Sequence, residues 1–251
     1  QDGSRLASAI ALNTVVFLVA RTLGPALAAF LFEAAGATWG FVLAAVATGA
    51  MLRCVARLPA PPPDEPSGHL KKGGLGAALC FVLTDGFGRL FFPITVGVAF
   101  CTGASQTLIP VLSAKTFGSA ATWTGWFYAA NGVGALVAAL LLSSRHMQLW
   151  LRRGLMAVPW LICVALPLLA LSAHPALTMF GFLILGFCTT FVGTGTSAAL
   201  HRRIPPSLRG GLIGVILLSF NGVVPFAQLL AGAIAQWGSA RVAFSCVAVG
   251  F

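Results

Sequence analysis

Apolar residues run along this chain in seven blocks long enough, or nearly long enough, to cross a bilayer: 7–32, 38–56, 90–108, 123–143, 155–172, 177–199 and 212–235. Crossing about 30 Å of hydrocarbon takes about 20 helical residues. An eighth block begins near Val242. From there to Phe251 a helix reaches only about 15 Å, so the chain is expected to stop inside a helix. The fold predicted is an all-α integral membrane bundle of about eight transmembrane helices, the last truncated.

Composition points the same way. Hydrophobic residues make up 58% of the chain and charged ones 8%, with a mean hydropathy of +0.95, outside the range of soluble domains. The net charge of +10 invites a nucleic-acid reading, but the positions of the charges decide against it. Arg5 precedes the first block; Arg53, Arg57, Lys71, Lys72 and Arg89 lie between the second and third; Arg145, Arg152 and Arg153 between the fourth and fifth; Arg202, Arg203 and Arg209 between the sixth and seventh. Twelve of the fifteen Lys and Arg thus fall in alternate gaps, and the other gaps hold only Lys115 and Arg241. The positive-inside rule places the first set, and the start of the chain, in the cytoplasm. Membrane insertion explains the charges, and no aromatic residues interleave with them as a strand-binding groove requires.

The stretch 58–74, with Pro59, Pro61, Pro62, Pro63, Asp64, Glu65, Pro66, Gly68, Gly73 and Gly74, reads as a cytoplasmic linker. Residues 75–83 are too few to span and precede Thr84, Asp85, Gly86 and Gly88. They are expected to form a surface helix leading into the third span, with a re-entrant segment as the alternative. Cys54, Cys80, Cys101, Cys163, Cys188 and Cys246 stand singly in apolar blocks and are expected to be small buried hydrophobes. The four histidines lack metal-site spacing, and neither a Walker loop, a GxSxG elbow nor paired carboxylates are found; no cofactor, metal or enzymatic activity is expected. The Gln1-Asp2-Gly3-Ser4 start resembles neither a signal peptide nor a helix, so it is expected not to be the natural terminus.

A weak internal repeat organises the blocks. Sliding the chain by 203 positions sets Ala28-Ala29 on Ala231-Gly232, Leu31 on Ile234, Glu33 on Gln236, Thr38 on Arg241 and Phe41 on Phe244. The first two helices then correspond to the seventh and eighth, and the repeating unit contains six helices. This divides the chain into 1–56, the last two helices of an N-terminal bundle, 57–74, the linker, and 75–251, a C-terminal six-helix bundle.

Two parallel six-helix units joined by a cytoplasmic linker are the plan of the major facilitator superfamily, and several segments resemble it. Ala20-Arg21-Thr22-Leu23-Gly24-Pro25-Ala26-Leu27-Ala28-Ala29 is similar to the fifth helix of its exporters. Drug and proton antiporters carry a GxxxGPxxGG signature there; this chain keeps Gly24 and Pro25 and has Ala20, Ala28 and Ala29 for the other glycines. Gly125-Trp126-Phe127-Tyr128-Ala129-Ala130-Asn131-Gly132-Val133-Gly134 and Ile204-Pro205-Pro206-Ser207-Leu208-Arg209-Gly210-Gly211 resemble the eighth helix and the loop before the eleventh. They are most similar to the branch with the enterobactin exporter and macrolide efflux proteins. The resemblance implies a segment covering the fifth to twelfth helices and monomeric when full length, in a bacterial inner membrane. It also implies outward movement of an amphipathic organic molecule, such as a drug or siderophore, by alternating access with protons as the coupling ion.

The motifs also have a direct physical reading. Ala20, Gly24 and Ala28 form a stripe where a neighbouring helix can approach, and Pro25 removes a backbone donor; the contact either seals the cavity or simply packs. Ala130, Gly134 and Ala138 repeat the stripe, and plain packing is expected there. Polar residues inside apolar blocks need partners or water. Asn13 and Arg21 in the first block, Gln106 in the third, Tyr128 and Asn131 in the fourth, Thr190, Thr194 and Ser197 in the sixth, and Asn221 with Gln228 in the seventh are the cavity candidates. Thr and Ser can instead bond their own helix. Arg21, near the middle of its block, either faces the cavity beside Thr14 and Asn13 or is fixed by backbone carbonyls. Asp85 and Arg89, four apart, are read as a surface ion pair, with a cytoplasmic gate including Arg209 as the alternative. No carboxylate lies at mid-membrane, so a proton carrier is expected outside this segment. A non-transporting membrane receptor or assembly factor of the same fold remains open.

Overall fold

The computed structural model describes residues 36–57, 74–118, 120–171 and 174–237, with single positions among 20–34 and 242–245. The described helices are α1 (Ala37–Ala56), α2 (Leu75–Thr84), α3 (Gly86–Phe117), α4 (Ala120–Ser143), α5 (Arg145–Leu171) and α6 (Pro175–Arg203). A 3-10 turn (Pro206–Leu208) then leads to α7 (Arg209–Leu217), a π turn (Leu218–Gly222) and α8 (Val223–Trp237). Among the described residues six helical spans are long and apolar enough to cross a membrane, at Thr38–Ala56, Gly86–Phe117, Thr122–Ser143, Leu151–Leu171, Pro175–Arg203 and Gly210–Gln236. These match the second to seventh expected blocks; the first lies outside the described residues. Helix is what an apolar segment in lipid requires, because it satisfies backbone groups within itself.

The third span is longer than the apolar block implied. The Oδ2 of Asp85 accepts hydrogen bonds from the backbone N–H of Phe87 and Gly88, each at 3.0 Å, so the helix starts at Gly86. Gly118, at φ 72°, ends it in the left-handed conformation. Its 32 residues reach about 48 Å. Between α2 and α3 the chain folds so tightly that a Cβ on Gly88 would fall on the Val82 carbonyl. At the far end of the bundle α6 takes Pro175 in its first turn, where a missing N–H costs nothing. It stops at Ile204, which is extended before Pro205.

The main core lies among α3, α4, α5, α6 and α8, where Phe91, Leu108, Phe127, Leu155, Ile162, Leu166, Phe182, Phe191 and Ala231 are buried. The close seam between α4 and α6 is built on glycine. A Cβ on Gly134 would fall on the Leu183 carbonyl, and one on Gly186 would fall on the Asn131 carbonyl. Ala130 and Ala138 are buried beside them, so the small stripe of α4 is a packing surface. As expected, residues 75–84 form a short helix entering α3; it is docked, not free. Val82 packs with Leu200, Ile204 and Leu212 in a second small core.

Elsewhere the surface is apolar. Trp126, Trp160, Leu171, Phe226 and Leu229 are exposed, and α1 exposes every described side chain from 38 to 56 except the half-buried Gly40. Two of the cysteines, Cys101 and Cys188, are the buried hydrophobes expected, whereas Cys54, Cys80 and Cys163 are exposed. On a helix in lipid an outward cysteine carries no desolvation penalty, so burial was not required.

Candidate functional site

Half-way along the bundle, α3, α4 and α6 diverge around a polar cavity of about 230 Å³. It is lined by Thr102, Ser105, Gln106 and Ile109 of α3, Tyr128 and Asn131 of α4, and Leu185 and Thr189 of α6. The seam at Gly134 and Gly186 fixes how closely α4 and α6 meet below it, which sets the position of Asn131. The Nδ2 of Asn131 donates to the Phe182 carbonyl at 3.2 Å, and its Oδ1 is an acceptor.

Gln106 is the hub. Its backbone carbonyl accepts from the Tyr128 hydroxyl at 3.0 Å, and its Oε1 accepts from Nε2 of Gln228, on α8, at 3.2 Å. Its own Nε2 keeps two donors for a ligand or water. Across the cavity the hydroxyls of Thr102 and Thr189 approach to 2.8 Å. Each also lies 2.8 Å from a carbonyl of its own helix, that of Val98 or Leu185. Two protons serve three contacts, so when one hydroxyl bonds across the helices it releases its own carbonyl. Serine is quieter: Ser105 donates to the Cys101 carbonyl at 2.7 Å. The lining carries no charged side chain, so the cavity offers amides and hydroxyls to an uncharged polar group.

Of the candidates read from sequence, Tyr128 and Asn131 line this cavity, and Gln228 joins it through Gln106. Asn221 does not accompany Gln228. It is exposed within the π turn, where Pro225 cannot donate to its carbonyl and the helix register shifts. On α6 the buried threonines are Thr178, Thr189 and Thr196, of which Thr189 lines the cavity. Of the expected stripe, Thr190 and Ser197 are half-buried, and Thr194 is exposed and lines a second cleft at one end of the bundle. Thr196 Oγ1 is buried without a hydrogen-bond partner among the described residues. Gly186 and Gly193, three and four positions from Thr189, mark the packed side of α6 and were the signal for it.

The ion pair expected between Asp85 and Arg89 is not formed. Asp85 points its second oxygen at Arg203, with Oδ1 3.8 Å from Nη1. As the N-cap it faces back over its own first turn, away from the side chain four residues on. Arg203 also lies over the Phe87 ring, 4.9 Å from its centroid. Asn13, Arg21 and Pro25 lie outside the described residues; Gly24 is exposed on a helix. Arg209 begins α7, and its side chain is likewise outside the description.

These features, a helical membrane bundle with a small polar centre, agree with a comparison against protein-family models. The model described as transmembrane secretion effector, a major facilitator family, matches residues 2–251. The chain belongs to that family. It is therefore a multi-pass membrane protein of a transporter family, with its exposed apolar belts against lipid and a small molecule as its cargo. No curated protein and no solved structure matched the chain.

Proposed function

We propose that this transporter exports amphipathic organic molecules by alternating access, with the cavity at Gln106 as one bundle's share of the substrate site. The observation that carries the reading is an uncharged, hydrogen-bonding cavity at the mid-length of three helices whose outer faces are apolar. An amphipathic cargo matches it: polar groups exchange hydrogen bonds with Gln106, Asn131 and the Thr102–Thr189 pair, while Ile109 and Leu185 meet its apolar part. We assign α1 to the partner bundle, since its side chains are exposed and the core forms among the other helices. The basic ends of α5 and α6 then face the cytoplasm of a bacterial cell, and the full-length protein works as a monomer.

Proton coupling has a constraint. Residues 86–251 contain no Asp or Glu, so a carboxylate that carries the proton lies outside this stretch. The test is flux in inverted membrane vesicles containing the full-length protein, measured for a macrolide and a catecholate siderophore with and without a pH gradient. Uptake above control vesicles that collapses with a protonophore is the expected result; uptake equal to control vesicles refutes export, and uptake insensitive to the gradient refutes coupling.

A further inference from the structure

The span from Gly210 to Gln236 is made of two helices, α7 and α8, joined by the π turn Leu218–Gly222, and the two belong to different cores. Leu212 of α7 packs in the small core with Val82 and Leu200, and Leu75 of α2 lies against Gly214. Ala231 and Ala235 of α8 belong to the main core, and Gln228 is bonded to Gln106 of the cavity. The buried face of the span runs through Leu212, Val215 and Ser219 and resumes at Ala227, Ala231 and Ala235. An unbroken α-helix brings the same face round after seven residues, which from Ser219 leads to Phe226. Yet Phe226 is exposed and Ala227 is buried. The turn therefore holds one residue more than the two packed faces need.

We propose that this extra residue makes the π turn a hinge of the alternating-access cycle, about which α7 swings against α8 and the cavity; the role in the cycle rests on the transport reading above. The backbone is weakest there. Bonds within a π turn reach five residues instead of four, the Val223 N–H turns back to the Phe220 carbonyl, and Pro225 has no N–H to give. Phe220 itself lies on α6 at Gly193, where a Cβ would stand 2.9 Å from its ring, so the glycine makes room for the ring at the pivot. The nine residues of α7 span about 14 Å, and a kink of about 20°, as π turns and prolines produce, moves their far end by about 5 Å. On the other arm Gln228 holds the Oε1 of Gln106, so cargo that claims this amide acts on α8 about two turns from the hinge.

Deletion of Asn221, an exposed residue of the turn, tests this in the full-length protein, because it closes the turn into an unbroken helix that keeps both packed faces. Spin labels at Ser207, just before α7, and Ser143, at the end of α4, in a background lacking the native cysteines, read the swing by pulsed dipolar spectroscopy. The wild type is expected to show two distances about 5 Å apart, and the deletion variant one, with Tm no lower than wild type. In proteoliposomes the deletion is expected to lower kcat for a macrolide about tenfold with KM unchanged, a split that damage to the cavity would not give. A single distance in the wild type overturns the hinge, as does a deletion variant that keeps both distances or the wild-type kcat. Loss of the folded deletion variant overturns it too, since the extra residue would then be needed for packing. Two distances in a wild type without macrolide flux uphold the hinge and count against the transport reading instead.

Discussion

Adding one methyl group at Gly103 is expected to open the seam between α3 and α8 and to break the hub of the cavity. A Cβ there would stand 2.8 Å from the Val224 carbonyl oxygen and 3.0 Å from both the Val224 Cα and the Ala227 Cβ. Ordinary contact begins at 3.4 Å, and a helix backbone cannot swing aside as a side chain can. The two helices must separate by roughly 0.5 Å to restore van der Waals distance. Gln106 lies one turn along α3 from Gly103, and Gln228 lies on the facing helix. Their 3.2 Å hydrogen bond would lengthen to about 3.7 Å, beyond the range of a hydrogen bond. Overpacking of this kind costs about 1–3 kcal/mol. At about 2–4 °C per kcal/mol for a chain of this size, Gly103→Ala should lower Tm by about 2–12 °C. Gly232→Ala is the control on the same seam, since its Cβ would meet nothing nearer than the Thr107 Cγ2 at 3.7 Å. Tryptophan fluorescence melts of the purified full-length protein compare the two. Equal Tm values for Gly103→Ala, Gly232→Ala and wild type would refute the reasoning.

Gly134→Ala and Gly186→Ala each place a Cβ on a carbonyl of the facing helix, so both should abolish the folded protein at 37 °C, seen as loss of a monodisperse peak in size-exclusion chromatography; normal yields contradict the seam. Asp85→Ala should cost about 1 kcal/mol through the lost N-cap, whereas Asp85→Asn keeps the cap and should cost less, because the Arg203 pair is half exposed and weak; melts of the two variants decide. In a background lacking the native cysteines, a cysteine at Ser67 should react with an impermeant maleimide only from the cytoplasm and one at Ser119 only from outside, and the reverse pattern overturns the orientation. Arg21→Lys in the full-length protein, which keeps charge but loses the planar fork, should impair export at normal membrane abundance; unchanged export with Arg21→Ala refutes a functional role.

The spans were legible because twenty apolar residues in a row leave the backbone few alternatives in lipid. Helix ends were less so: α3 begins at Gly86, four residues before Leu90, because capping by Asp85 depends on one side chain and not on hydropathy. The cavity was half legible. Tyr128, Asn131 and Gln228 stood out as polar residues in apolar blocks, but Thr189 of α6, which also lines the cavity, did not. Thr189 and Thr190 are adjacent and equally polar, and only the glycine seam at Gly186 decides which points inward. Asn221 was misplaced for another local reason, the π turn ahead of Pro225, which breaks the seven-residue register that relates it to Gln228. The Asp85–Arg203 link joins residues far apart in the chain, and no periodicity announces it.

The most direct test of the substrate site is the KM for outward flux in proteoliposomes containing the full-length protein, for wild type, Asn131→Ala and Thr189→Val. Each variant deletes cavity hydrogen-bonding groups, at about 0.5–1.5 kcal/mol per bond, so KM should rise about 2- to 12-fold with Tm within a few degrees of wild type. Wild-type KM in both variants, at normal Tm, would contradict the assignment of this cavity to the cargo.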